Sequence, residues 1–287
     1  MPSPRVMALT VLAMIAFAGN SLLCRAALQH TSIDAASFTT IRLIAGALML
    51  VLVVRLRAGS RVGGGNWLSA LALFAYAAGF SFAYRSLPAG AGALLLFGAV
   101  QATMIGHGLL RGERLLRWQV VGLLLALAGL LGLLLPGLSA PPLSGALLML
   151  GAGVAWGVYS LRGKSGGDPT RVTAGNFLRA VPIAVALSAF SALTLNAASL
   201  DSAGVCYALA SGALASGVGY AIWYTALPAL PATNAATVQL SVPVIAALGG
   251  IAFLGEPLTL RLTLSSVAIL GGIALVILEK RPAVSRR

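Results

Sequence analysis

Acidic residues are scarce in this chain: Asp and Glu together number six in 287 positions. Charged residues of both signs make up 9%, against about 25% in a soluble domain. A water-facing surface cannot be built from so few. Histidine and cysteine are limited to two each, and Cys24 and Cys206 stand in neither a CxxC nor a metal-ligand spacing. A metal centre, a disulfide framework and a bound cofactor therefore have no support, and both cysteines read as small packing residues. A nucleophile with an adjacent base is missing as well, which argues against an intramembrane enzyme. The ten-residue alternating segments of an outer-membrane barrel are absent too.

What is present is apolar: hydrophobic residues reach 59%, more than one water-facing core can hide, so lipid is the solvent for most of the chain. Reading for breaks predicts ten helices, near 6–28, 35–57, 66–86, 88–110, 115–135, 142–161, 172–194, 203–226, 230–254 and 260–279. The first is an uncleaved span rather than a signal peptide. Turn formers mark the breaks at Gly59 to Gly65, Pro136 to Pro142 and Gly163 to Pro169. At Leu87-Pro88 and Pro228 to Pro231 the linkers are tight, and a single kinked helix is the alternative. The expected class is an all-α membrane protein.

The formal charge of +13 does not indicate nucleic acid, because the basic residues sit in short clusters between apolar runs. With both termini in the cytoplasm, Arg5, Arg55, Arg57, Arg61, Arg111, Arg114, Arg117, Arg162, Lys164, Arg171, Lys280, Arg281, Arg286 and Arg287 all fall inside. Arg25, Arg85 and Arg261 lie at outer ends, and Arg42 and Arg179 within spans. An inner membrane is the expected location.

The two halves resemble each other. Phe17 to Leu22 aligns with Trp156 to Leu161, and Arg25 falls on Lys164. Arg42 falls on Arg179, Tyr84 to Pro88 on Tyr224 to Pro228, Gly112-Glu113 on Gly255-Glu256, and Gly129 on Gly272. An odd number of helices per copy inverts the second, so residues 1–138 and 139–287 read as two inverted five-helix repeats. That architecture is a device of secondary transporters.

Several of these residues carry a resemblance: Trp156-Gly157 with Lys164, Arg42 with Ala45, Ala226 to Ala229, Gly112 to Leu115, and Leu254 to Leu258. On them the chain resembles the drug/metabolite transporter superfamily and its EamA-type members. Within that superfamily it looks most like the YddG-type aromatic amino-acid exporters. The resemblance implies ten helices, cytoplasmic termini and metabolite export.

Tyr76, Phe80 and Tyr84 recur every four residues and share one helical face. Tyr220 and Tyr224 do the same with Trp223 beside them, and Trp156 and Tyr159 add a third face. These rings read either as a cavity for a flat or apolar solute or as an interfacial belt. Trp67 and Trp118, at helix starts, suit the belt. Among polar groups at membrane depth, Asn20 and Ser21 are expected on the path, while Gln101, Asn176 and Gln239 fit path and helix glue equally.

Arg42 and Arg179 need partners, since each costs about 3 kcal/mol at a helix centre. Matched pairs Arg42–Glu256 and Arg179–Glu113, bracing or gating, are expected. The rival reading gives Arg42 a substrate carboxylate. Pro88 and Pro228 mark tight breaks. Pro182 and Pro243, inside spans, either flank a site or pack. Close helix contact at Gly129, Gly132, Gly271 and Gly272 allows a dimer seam, so monomer and homodimer both stand.

No acid stands mid-span, and His107 near a helix end reads as packed or interfacial. The expectation is export of small amphipathic metabolites, amino acids including aromatic ones, by alternating access without strong proton coupling. The alternative is a multidrug or nucleoside/nucleotide-sugar carrier of the same fold.

Overall fold

Helix starts in this chain are written by short polar side chains. Ser3 accepts from Val6 N–H, Asp34 from Ala36 and Ser37, Asn66 from Ser69, and Asp201 from Gly204. Each satisfies amide donors that a first helical turn leaves unpaired. A computed structural model describes residues 3–57, 64–112, 114–137, 140–163, 168–195, 198–230 and 232–278. Glu113, Lys164, Arg61, Lys280, Arg281, Arg286 and Arg287 of the sequence reading lie outside the described residues.

The helices are α1 (Pro4–His30), α2 (Ala35–Leu56), α3 (Trp67–Tyr84), α4 (Ala89–Leu110), α5 (Arg117–Leu134), α6 (Leu143–Arg162) and α7 (Pro169–Leu195). They continue with α8 (Ser202–Ala210), α9 (Gly219–Ala226), α10 (Ala232–Gln239), α11 (Ser241–Leu254) and α12 (Leu260–Leu278). A π-helical stretch, Ser211–Val218, joins α8 to α9 without a break, and a 3-10 turn, Leu227–Ala229, ends that span. Counting α8 to the 3-10 turn as one span and α10 with α11 as another gives, among the described residues, ten helices apolar enough to cross a membrane. This is an all-helical multi-pass membrane protein, as the composition requires.

The prolines sort by position. Pro88 is the N-cap residue of α4, so α3 and α4 are separate helices, and Pro228 lies in the 3-10 turn. Pro182 sits inside α7, which runs through it. Pro243 lies within the ninth span, three residues after its interruption, and its missing N–H leaves the Gln239 carbonyl without an intrahelical donor. It is the third residue of α11 (Ser241–Leu254). The interruption in that span lies just before, at Leu240.

With lipid outside, close packing of small residues replaces the hydrophobic effect between helices. A Cβ on Gly129 would come within 2.8 Å of the Ala268 Cβ, and one on Gly272 within 2.7 Å of the Ala126 amide nitrogen. Gly129 and Gly272 thus bring α5 onto α12 inside one chain rather than at a dimer seam. A Cβ on Gly212 would collide with the Arg42 carbonyl oxygen, so α2 lies directly on the π stretch.

The neighbours form matched sets. The second span packs on the seventh, and the fifth on the tenth (α2 on α7, α5 on α12). The third packs on the sixth as the eighth does on the first, and the fourth packs on the sixth as the ninth does on the first. Exchanging the two halves leaves these pairs unchanged. The match is incomplete: α12 packs on α4 and α10 without a counterpart at α5, and α1 also packs on α3 and α4, whereas α6 makes no comparable backbone approach to α9, α10 or α11.

Candidate functional site

The gap left by α6 is a cavity of about 760 Å³. Its blind end lies at the level of Ser21, Phe80 and Phe97. It runs to helix ends at Leu109, Gly163, Pro169, Leu227 and Ile277, all on the end of the bundle that carries both termini. Trp156, one face of α6, stacks on Tyr220 at 5.3 Å and 15° and on Tyr159 at 5.2 Å and 27°. Its other neighbour is Tyr76, at 4.8 Å. Phe17 closes on Tyr220 and Trp223 at 5.6 and 6.1 Å. The faces predicted from three- and four-residue spacing on three separate helices therefore meet round one space, Tyr84 excepted, as an aromatic box with its rings at contact distance.

Polar groups are sparse and tied down. Ser211 Oγ donates to Asn20 Oδ1 at 2.6 Å, and Asn20 Nδ2 donates to the Tyr76 hydroxyl at 3.4 Å. The π stretch supplies that serine, and π turns commonly mark functional positions in helices. Towards the open end, Tyr159 Oη donates to Thr173, Thr173 donates to the Tyr224 hydroxyl, and Asn176 Nδ2 donates to Tyr159 Oη. Asn176 itself is a brace, its Oδ1 accepting from the Asn66 amide at 2.9 Å. Gln101 and Gln239 line the cavity. Among the described lining residues the only charged side chain is Arg114, near the mouth.

At the opposite end two charged side chains form an ion pair, termed the lock below. Arg25 Nε meets Glu256 Oε1 at 3.2 Å, with both side chains 10% exposed. Arg25 Nη1 donates to the carbonyls of Tyr84 (3.0 Å) and Arg85 (3.3 Å), at the C-terminal end of α3. Both Glu256 oxygens accept from the Ala89 amide, the first N–H of α4. A cation thus caps the negative end of one helix dipole and an anion the positive end of the next, which satisfies a pair that would otherwise be costly to bury. Above the lock, Asp34 Oδ2 accepts from the Ser199 amide, and Asp201 Oδ2 accepts from the Ser32 amide and hydroxyl. Burial pushes the Asp34 carboxyl up. The hydrogen bonds from Ser37, Ser199 and Ala36 outweigh it and hold that carboxyl below its ordinary value. Those from Gly204 and Ser32 lower Asp201 in the same way.

The sequence reading placed Arg42 against Glu256, but the lock uses Arg25. Arg42 lies seven residues inside α2, roughly 10 Å deeper than the helix start, whereas Arg25 stands at the level of the α3 and α4 ends. Arg42 is 2% exposed. It packs against Phe80 and Tyr76, with its guanidinium carbon 4.8 and 5.3 Å from their centroids, and its Nε and Nη1 have no hydrogen-bond partner. Arg179 gives Nη1 to the Gly64 and Gly175 carbonyls at 2.8 and 2.9 Å. Glu113, its expected partner, lies outside the described residues.

Asn20, Ser21, Tyr76, Phe80, Trp156, Tyr159, Tyr220, Trp223 and Tyr224 all line the cavity. Tyr84 does not. It is fully buried beyond the blind end, where it stacks edge-on at 4.7 Å against Phe80 and donates to the Ala89 carbonyl at 3.2 Å. Phe17 was legible only as the repeat mate of Trp156, and the π stretch had no sequence signal beyond its glycines and serines. Trp67 and Trp118 are 61% and 63% exposed, as lipid-facing anchors require.

Residues 143–278 match the EamA-like transporter family. An uncharacterized protein of Pseudomonas aeruginosa is 60% identical over 291 residues, which covers all of this chain and 99% of the relative. The threonine/homoserine exporter RhtA of Salmonella typhimurium is 35% identical over 128 residues, 41% of this chain and 39% of the exporter. The Escherichia coli K12 exporter of that name is 33% identical over 123 residues, with the same coverage. A solved crystal structure superposes on 94% of this chain with a TM-score of 0.66 at 19% identity, a likeness of fold alone.

Proposed function

The chain belongs to the EamA-like transporter family, matched over residues 143–278, and we propose that it exports small amphipathic metabolites, chiefly amino acids including aromatic ones. The carrying observation is an aromatic cavity open at one end of the bundle and locked at the other by Arg25 and Glu256. Such a site alternates its access: the lock opens as α6 closes on α9 and α10. Residues 1–138 and 139–287 are the two inverted repeats, which is why the neighbour sets exchange so nearly. The basic clusters place the open end in the cytoplasm, so this state accepts cargo for export. The partial match to threonine/homoserine exporters supports amino-acid cargo, and the rings extend that range to flat side chains.

Proton coupling is not part of this reading, because no Asp, Glu or His is among the described lining residues. A carrier for cationic drugs would want an acid there. In proteoliposomes loaded with labelled phenylalanine or methionine, exit is expected to need the protein and to ignore an imposed pH gradient. Uphill accumulation driven by that gradient, or no flux of any amino acid, would overturn the assignment.

A further inference from the structure

We propose that Arg42 is the carboxylate-recognition residue of this site, standing behind Tyr76 and Phe80 and receiving the carboxylate of the cargo when those two rings move aside. The inference rests on the cavity being a transport site and adds which end of the cargo is read. Three observations carry it.

Arg42 carries a guanidinium that is 2% exposed, with two nitrogens lacking hydrogen-bond partners. Structural arginines in the same molecule are satisfied: Arg25 by a carboxylate and two carbonyls, Arg179 by two carbonyls. Among the described residues the one ion pair leaves Arg42 out. A buried cation with open donors is a site waiting for an anion.

The second observation is position. Phe80 and Tyr76 touch the guanidinium and also line the blind end of the cavity, so one layer of rings separates Arg42 from the cargo. The Tyr76 hydroxyl is held by a single long bond from Asn20, so it is packing against Trp156 and Phe80 that keeps that ring in place.

The third is charge. No Asp, Glu or Lys is among the described lining residues, so a cargo ammonium meets no counter-ion there. A cargo ammonium would find only ring faces, amides and hydroxyls, whereas a carboxylate finds a fork of unpaired donors with matching geometry. Carboxylate-bearing cargo follows, with the carboxylate leading into the blind end and the side chain against the stacked Trp156–Tyr220 pair.

The test uses analogues of one skeleton: L-phenylalanine, 3-phenylpropionate (carboxylate without ammonium), and L-phenylalaninamide and phenethylamine (no carboxylate). Each competes against labelled L-methionine efflux from proteoliposomes, and each is scored for raising the melting temperature of the purified protein. The carboxylates are expected to compete at concentrations about 10- to 100-fold lower than the two amines. Arg42→Gln should erase that preference while Arg42→Lys keeps part of it. Equal competition by amines and carboxylates would leave transport standing and overturn the carboxylate assignment. So would an Arg42→Gln protein that keeps the wild-type preference. No efflux and no melting shift with any analogue would overturn both readings. Because the wild-type series already discriminates, an Arg42→Gln protein that fails to fold still leaves the proposal exposed to refutation.

Discussion

The two ends of this bundle are built from equivalent helices and behave oppositely. At the end away from the termini, α1 reaches α3 and α4, and Arg25 and Glu256 tie α1, α3, α4 and the Gly255 turn into one knot. At the end with the termini, the equivalent α6 stands off from α9 and α10, and the space between becomes the cavity. A near-symmetric chain thus holds an asymmetric state, and a few contacts at one end decide which. The lesson is that the cavity is a contact not made, so its residues are found by asking where the repeat symmetry fails.

The largest effect that would break this comparison is at the lock. Glu256→Ala leaves Arg25 at 10% exposure without its counter-ion, and a loss of about 3–5 kcal/mol is expected for such a deletion. Thermal unfolding measures it. Cys24, fully buried between the lock and the cavity's blind end, reports the functional side. In a Cys206→Ser background a membrane-impermeant maleimide should label Cys24 from the far end in the variant and not in the parent. Equal protection in both would show that the lock is not what shuts that end.

Next comes the cavity wall. Trp156→Ala removes three ring contacts. Each lost contact costs about 1 kcal/mol of stability beyond packing, and loss of the cavity wall is expected to lower amino-acid efflux by about tenfold or more. Tyr84→Phe sharpens the contrast, because Tyr84 belongs to the closed end. It should lose about 1 kcal/mol from the Ala89 hydrogen bond and leave the half-saturating cargo concentration unchanged. A change in cargo affinity instead would return Tyr84 to the cavity.

The smallest effect is acid sensitivity at the closed end. Asp34 has its carboxyl held below the ordinary carboxylate value of about 3.9. A depressed carboxylate contributes stability that is present above the unfolded value and is lost as pH falls through the lower folded one. Melting temperature should therefore hold from neutral pH to about pH 5 and drop below about pH 4. Asp34→Asn keeps the helix cap and loses the Ser199 contact, so the acid limb should flatten. An unchanged acid limb would remove Asp34 from the clasp.

Spacing made much of the site legible. Tyr220 and Tyr224, like Tyr76 and Phe80, are one helical turn apart, and a periodicity of 3.6 settles that they share a face. Asn20 and Ser21 announced themselves because amides and hydroxyls in lipid must turn inwards. The same rule flagged Asn176 without saying whether it lines or braces, since both positions face inwards. Tyr84 shared the aromatic face yet sits past the cavity's floor, because a face has a direction but no depth. Phe17 was overlooked since a lone apolar ring in an apolar helix carries no contrast.

The sequence by itself determined the solvent and the number of crossings. Length and hydropathy are properties of the chain that no packing can change. Tertiary structure alone decided which arginine meets Glu256. Arg25 and Arg42 are equally charged, and the choice between them turns on a roughly 10 Å difference in depth, together with the α3 carbonyls and the α4 amide that converge beside Arg25. Coulomb attraction selects by distance and by hydrogen-bond completion, and distances between segments 231 residues apart exist only once the helices have packed.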